Sequence, residues 1–498
     1  MITIIFGPPG TGKTTSQLKM VETHLSDGIP PENIAYLGFT RRAANEAKER
    51  AMEKFKLEEH QLPWFRTIHS LAFQQLGLNK NSVMSLSDYK KICDILGLTI
   101  SYKINDDGTF MGQTKGDRLF HMENIARVTK LSIENYWELL PDEDISFQEL
   151  KLLHDTLTQY KHDNSKLDFT DMMVMFAKNP VMPPLRVLIV DEAQDLSPIQ
   201  WDIVKSMMRE VEQVYIAGDD DQAIFRWAGA DVDTLMSIEG DTHVLSQSYR
   251  IPANIQKVAN DVVSRISKRI EKHWKPRDFD GSVEHITDIE QVDMSSGTWL
   301  LLARNAYLLD IYCEHCIRSG LLFDSQRESP IKSEAMLAIR EWEKLRSGNL
   351  VPASSVKKIY DMMSIRTGIS YGYKSKLNDL PNNKLLSITE LKTNWGLITD
   401  SPWNIALDKL TGVELEYYLT AEASGDLITG PRIRISTIHG AKGGEAQNVV
   451  IMTNMASRTY REMENNPDDE HRVFYVGVTR AKENLYIIQP TTNYFYDI

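Results

Sequence analysis

Cysteine is nearly absent from this sequence: Cys93, Cys313 and Cys316 are the three in 498 residues. So few thiols exclude a disulfide-built secreted scaffold and point to a reducing compartment. Cys313 and Cys316 form a C-x-x-C pair, but no second pair completes a metal-binding set, and no thioredoxin-like strand and turn is legible before them. They read as structural cysteines, with a redox or partial metal role as the alternative. A basic leader and a long apolar run are also lacking, so the expectation is a soluble, cytoplasmic protein (host cytoplasm if viral) with no membrane contact. Nor is there an excess of positive charge. Lys and Arg number 56 against 69 Asp and Glu, giving −13, which argues against a simple nucleic-acid coat while leaving room for a local basic channel.

What is present is a rhythm of short apolar runs. ITIIF (2–6), AYLGF (35–39), LRVLIV (185–190), VYIAG (214–218), TWLLLA (298–303), NVVIM (448–452) and NLYIIQ (484–489) are continuous, not alternating, and are separated by helical segments. That pattern predicts parallel strands covered on both faces, enough for two α/β cores. With 42% apolar residues the chain can bury both. Two stretches differ in character. Residues 78–160 are rich in polar helix formers apart from a loop-like NDDGTFMGQTKGDR, and residues 320–430 hold WEKLRSGN, KKIYDMMSIR and WNIALDKL, which read as short amphipathic helices. Both are expected to be insertions. The first core then comprises 1–77 and 161–250, and the second 251–319 and 431–498.

GPPGTGKT at 7–14 follows a predicted strand and opens a predicted helix, as a phosphate loop must. Gly7, Gly10 and Gly12 permit the tight turn, the helix N-terminus attracts the anion, Lys13 reaches the β and γ phosphates, and Thr14 holds Mg2+. Thr11 and Thr15 complete the cofactor-binding set. VLIVDEAQD places Asp191 and Glu192 at the C-terminal end of a strand, where open α/β sheets bind ligands; Asp191 is the second Mg2+ ligand and Glu192 orients the attacking water. VYIAGDDDQAIFRWAG supplies Gln222 as a γ-phosphate sensor, then Phe225 and Trp227, flat faces on which bases of a single strand can stack. Taken alone, Trp227 also reads as a core or loop anchor.

In this order GFTRRAANEAKER (38–50), FRTIHSLAFQQL (65–76), LDFTDMM (167–173), VDEAQD (190–195), GDDDQAIFRWAGA (218–230), LSQSYR (245–250), LLARNAYLL (301–309), ISTIHGAKGGEAQNVVI (435–451) and FYVGVTRAKENLYI (474–487) resemble the UvrD/Rep/PcrA-like helicases of superfamily 1. The resemblance implies two RecA-like motor cores that use ATP and Mg2+ to translocate on single-stranded DNA, 3′-to-5′, and separate strands. Single-stranded DNA and single/double-strand junctions, together with replication or repair proteins, are the implied partners. It implies that Tyr249 stacks on adenine, that Arg250 and Arg480 contact the γ phosphate, that Glu445 bonds the ribose, and that Arg42 lies near the nucleotide. Phe39, Phe225 and Trp227 match DNA-stacking positions, and Thr67, His69 and His439 match DNA-facing or coupling positions. Arginine presents a fixed fork of donors suited to phosphate, so two arginines outside the phosphate-loop motif would couple closure of the cores to ATP.

Some features depart from the family pattern. Relatives carry an adenine-reading glutamine upstream of the phosphate loop, and this sequence reaches Gly7 too soon to hold it, so adenine selection is expected to be weaker, with use of nucleotides other than ATP, or to be supplied by another residue. Only NYFYDI follows PTT, so the strand-separating wedge reads as shortened or absent, with Tyr494, Phe495 and Tyr496 as an aromatic tip; the 320–430 insertion is also small. The trimmed look suggests a viral or mobile-element origin. Two alternatives stay open: a DNA-stimulated ATPase switch that loads or displaces partners with little unwinding, and a motor on RNA.

Overall fold

The computed structural model describes residues 1–101, 110, 112, 114–139, 144–325, 327 and 329–498. They form two compact units, Met1–Arg250 with Val263–Arg277, and Ile251–Val262 with Asp278–Ile498. The chain thus leaves the first unit after Arg250, returns for a short segment, and leaves again, a return that the sequence reading did not include.

The first unit is built on strands Ile2–Phe6 (β1), Ile34–Gly38 (β2), Phe65–Thr67 (β3), Val187–Val190 (β4), Gln213–Gly218 (β5) and Asp241–Val244 (β6). All pair in parallel in the order β3-β2-β4-β5-β1-β6. Alternate residues enter opposite faces: Ala35, Leu37, Leu188 and Val190 pack with Trp201 and Phe176, whereas Ile34, Tyr36, Val187 and Ile189 pack with Leu18, Val21 and Phe65. Both faces are therefore buried, which is why these strands are apolar throughout. β3 has three residues and β6 is polar and mostly exposed; as edge strands they need no continuous apolar run, and neither was legible in the sequence.

Helices Leu86–Leu96, Lys115–Val128, Ile133–Leu139 and Phe147–Asp163 form the first insertion around Ile92, Leu119, Phe120, Leu150 and Leu153. The loop expected over NDDGTFMGQTKGDR needs correction. Residues 105–109, 111 and 113 lie outside the described residues, but Thr114 and Asp117 form a reciprocal capping box, so Lys115–Arg118 is the first turn of a helix. Arg127 from this insertion donates to Asp171 at 2.8 Å and Asp168 at 2.5 Å, the carboxylates that cap helix Phe169–Lys178.

The second unit carries Ser282–Ile286 (β7), Trp299–Ala303 (β8) and Phe323–Ser325 (β9), a short antiparallel pair Val351–Pro352 (β10) and Leu385–Leu386 (β11), then Ile433–Thr437 (β12), Ala446–Met452 (β13) and Ala481–Ile488 (β14). Its main sheet is also parallel, ordered β7-β14-β13-β8-β12-β9. Two six-stranded parallel sheets with covering helices bear out the α/β class with two RecA-like cores. The insertion between β9 and β12 has its own core around Trp342, Tyr360 and Trp403. Of the helices expected there, WEKLRSGN ends Glu334–Arg346 and KKIYDMMSIR overlaps Ala353–Asp361, but WNIALDKL holds only the four-residue Trp403–Ala406.

The strand expected from TWLLLA, β8, precedes the C-x-x-C pair. Both cysteines are buried in the body of helix Leu309–Arg318, and burial pushes the Cys316 thiol up to about 12. The aromatic tip is also overturned at one position: Tyr496 is 2% exposed, stacks on Phe474 at 4.0 Å and shares a 2.7 Å hydrogen bond with His471 Nδ1. Among the described residues no helix is long and apolar enough to cross a membrane.

Candidate active site

β1 ends at Phe6 and the chain turns through Gly7–Gly12 into helix Lys13–Ser26. Gly10 and Gly12 have φ of +72° and +78°, the left-handed region that disfavours any L side chain. Gly10 is also hemmed in: a Cβ there would stand 2.3 Å from Cβ of Arg250 and 2.8 Å from Oγ of Ser248. Two hydrogen bonds enforce that approach. The Tyr249 amide donates to the Gly10 carbonyl at 2.8 Å, and Ser248 Oγ donates to the Pro9 carbonyl at 2.8 Å. Tyr249 and Arg250 are thereby fastened to the loop from the far end of the unit. The Tyr249 ring is 75% exposed, with an edge 4.0 Å from where a Gly12 Cβ would lie.

Among the described residues no side chain caps Gly12, so the first turn of the helix is arranged as anion-binding helix N-termini are. Thr14 and Thr15 lie in that turn, and Thr11 Oγ1 donates to the Pro8 carbonyl at 2.8 Å. Lys13 Nζ donates to the Gly7 carbonyl at 3.1 Å and stands 3.9 Å from Glu192 Oε2.

β4 delivers Asp191, which is 4% exposed. Its Oδ1 accepts from Gln17 Nε2 at 3.2 Å and from the Glu192 amide at 3.0 Å, and its Oδ2 accepts from the Tyr36 hydroxyl at 2.7 Å. Burial, reinforced by the adjacent Glu192 charge, pushes the Asp191 carboxyl up to about 6 against the pull of Tyr36 and Lys13. Burial likewise raises the Tyr36 phenol well above its ordinary value. Glu192 has φ +51°, a conformation costing a non-glycine residue about 1–2 kcal/mol, which the surrounding bonds sustain.

Gln194 links this pair to the next strand end. Its Nε2 donates to Glu192 and its Oε1 accepts from the Asp219 amide at 3.0 Å. Gln222, which follows β5, donates Nε2 to Asp219 Oδ2 at 2.6 Å. Asp219, Asp220 and Asp221 are all buried, and Lys272 Nζ lies 3.3, 2.5 and 2.8 Å from them. Arg269 adds a two-pronged pair to Asp221 at 2.8 and 2.7 Å. Burial raises Asp219 despite Lys272; Lys272 is itself lowered by burial but raised more strongly by the three carboxylates.

Beside these strand ends Phe39 and Phe225 stack at 6.0 Å and 22°. Phe225 meets Trp227 edge-on at 6.4 Å, and His121 of the insertion stacks on Trp227 at 5.6 Å and 28°. Trp227 is 40% exposed, so it is not a core anchor. Thr67 is buried as a helix cap, its Oγ1 accepting from the Ser70 amide at 3.2 Å. His69 meets Phe169 edge-on at 6.2 Å, and Arg42 is exposed in the first turn of helix Arg41–Phe55.

In the second unit Arg480 is 2% exposed; its Nε donates to the Val476 carbonyl at 2.9 Å and its Nη1 to the Gly444 carbonyl at 3.3 Å. Glu445 is therefore its near neighbour, and it pairs with Lys482. His439 opens the turn after β12.

Residues 2–243 match the UvrD/REP helicase N-terminal domain, and residues 352–492 match the UvrD-like helicase C-terminal domain. The chain belongs to the UvrD/Rep/PcrA-like superfamily 1 helicases. It is 22% identical to the ATP-dependent DNA helicase Rep of Buchnera aphidicola, over 97% of this chain and 88% of that protein. It is 25% identical to the ATP-dependent DNA helicase PcrA of Staphylococcus epidermidis and 26% to that of Staphylococcus aureus, over 74% and 53% of this chain. The chain spans 51% and 38% of those two PcrA proteins.

Within this UvrD/Rep-like chain the sequence reading overlooked Gln17, Tyr36, Gln194, Arg269, Lys272 and His121. The three adjacent aspartates after an apolar strand were a signal, since buried carboxylates require cations. SKRIEKHW at 267–274 supplies them, but a pairing across 50 residues has no local signature.

Proposed function

We propose that this chain is an ATP-dependent DNA helicase that translocates 3′-to-5′ on single-stranded DNA and couples Mg-ATP hydrolysis to strand separation. One observation carries the reading: the phosphate loop, the Asp191–Glu192 pair and the Tyr249–Arg250 segment are fastened together by direct hydrogen bonds or close contacts. In this reading Lys13 neutralises the β and γ phosphates, Glu192 orients the attacking water, Gln222 senses the γ phosphate, Arg250 stabilises the transferring group, and Tyr249 stacks on the base.

The oxygen donors suit magnesium. Asp191 and Glu192 are adjacent, with Lys13 at 3.9 Å from Glu192, and burial of negative charge favours a further cation. Thr14 and Asp191 would hold it, and Mg2+ bound there would neutralise charge developing on the phosphate oxygens. Arg480 and Glu445 belong to the reading as nucleotide-contacting residues, with His439 and Thr67 in DNA-facing or coupling positions. Phe39, Phe225 and Trp227 supply the stacking platform, with His69 beside the DNA strand and Arg42 near the nucleotide. Stacking and backbone contacts carry little sequence preference.

Duplexes bearing a 3′ tail, a 5′ tail or no tail test the proposal. ATP-dependent separation of the 3′-tailed duplex alone is expected. DNA-stimulated hydrolysis with no separation of any duplex would assign the chain instead to an ATPase switch, and equal activity on an RNA tail would remove the DNA preference.

A further inference from the structure

We infer that Lys272 and Arg269 are positioning residues for hydrolysis: by clamping Asp219, Asp220 and Asp221 they hold Gln222, and through Gln194 the side chain of Glu192, in register with the phosphate loop. This rests on the hydrolytic reading given above.

The route is continuous. Lys272 Nζ reaches Asp219 Oδ1 at 3.3 Å; Asp219 Oδ2 accepts from Gln222 at 2.6 Å; the Asp219 amide donates to Gln194 at 3.0 Å; Gln194 donates to Glu192, which stands 3.9 Å from Lys13. Lys272 Nζ also lies 5.7 Å from the centre of the Phe6 ring, on the last residue before Gly7. The backbone joins in, since the Ile270 amide donates to Asp220 Oδ2 at 2.8 Å. One cation thus touches both strand ends that frame the site.

Stability alone does not call for such a knot. Well-packed apolar residues commonly replace a buried ion pair without loss, whereas removing one member leaves an uncompensated charge. A fully bonded buried network instead fixes one geometry, and the geometry fixed here is that of the loop carrying Gln222. The cations also sit on Val263–Arg277, whose chain neighbours on both sides belong to the second unit. The nucleotide site is thereby bonded to the segment through which the chain enters and leaves that unit.

The experiment compares wild type with Lys272→Met, which keeps the stem and removes the charge, and with Arg269→Lys, which keeps the charge and loses the fork. Single-turnover ATP hydrolysis is measured with saturating oligothymidylate, and nucleotide affinity with a fluorescent ATP analogue. The expected result for Lys272→Met is a rate lowered about tenfold or more with affinity within about threefold, and for Arg269→Lys a smaller loss of the same kind. Should Lys272→Met fail to fold, Lys272→Met with Asp220→Asn replaces it, because one charge of each sign is removed together; the expectation is a folded protein that remains slow. Wild-type rates in a folded variant, or rate and affinity falling in parallel, would overturn the inference. Absence of DNA-stimulated hydrolysis in the wild type would instead overturn the reading on which it rests.

Discussion

The Tyr36 hydroxyl donates a 2.7 Å hydrogen bond to Oδ2 of Asp191, joining the middle of β2 to the residue that follows β4. The same hydroxyl lies 2.9 Å from Gln17 Oε1, so helix Lys13–Ser26 shares the contact. The Tyr36 ring packs in the core beside Leu18 and Val21 and stacks on Phe65 at 5.4 Å, while its hydroxyl is directed to the carboxylate.

Tyr36→Phe keeps that ring and deletes the bond. A buried hydrogen bond to a charged group contributes about 1.5–3 kcal/mol, so the unfolding midpoint in urea should fall with its slope unchanged. A midpoint equal to wild type would show that the hydroxyl does not hold Asp191.

Gly10→Ala should be far more damaging than its one added methyl suggests. The backbone there is left-handed, and the new Cβ would meet that of Arg250 at 2.3 Å. Strain of about 1–3 kcal/mol is expected, relieved only by parting the loop from Tyr249 and Arg250. Nucleotide affinity should drop at least tenfold. Gly28→Ala is the control, since its φ of +83° carries the same backbone strain but none of the described residues comes within 4 Å of the added Cβ. Equal losses of nucleotide affinity in the two variants would remove the claim that contact with the Arg250 segment matters.

Much of this was legible in the sequence, for a local reason. Buried central strands such as ITIIF and VLIV announce themselves because both faces are covered, and the glycine turn after Phe6 is read from adjacent residues. Edge strands were not, because DTHV at β6 buries little and FRT at β3 is too short for periodicity. The partners of the site were hidden for a different reason: Lys272 with Asp220, Tyr36 with Asp191 and His121 with Trp227 are brought together only by the topology of the sheet and the insertion.

Lys13→Ala should abolish turnover while leaving single-strand affinity nearly intact. The ammonium donates to the Gly7 carbonyl of the phosphate loop and stands 3.9 Å from Glu192, on the nucleotide side of the proposed site. A hydrolysis rate within tenfold of wild type would withdraw the phosphate-loop assignment.

Trp227→Ala separates the other half of the site. Loss of one base–aromatic stack costs about 1–3 kcal/mol, which is roughly 5- to 150-fold in affinity for oligothymidylate measured by fluorescence anisotropy. His121→Ala should give a smaller loss in the same direction, because its ring backs the indole at 5.6 Å. The order of these two effects is the test, and a larger loss at His121 would make it the platform and Trp227 the support.

The first insertion should carry an acid-sensitive element at Asp88. Burial opposes ionisation there, but hydrogen bonds from the Ser85 hydroxyl and amide and from the Tyr160 hydroxyl, with the charge of Lys166, hold the carboxyl down to about 2. A carboxylate depressed by folding adds stability that is complete above its ordinary value, 3.8, and is lost as pH falls towards the folded value. Asp88→Asn should therefore be less stable than wild type at pH 7, and the gap should close between about pH 4 and pH 2. Urea titrations followed by circular dichroism at several pH values measure it. A gap that persists unchanged at pH 2 would mean that the helix cap at Ser85, and not the charge on Asp88, supplies the stability.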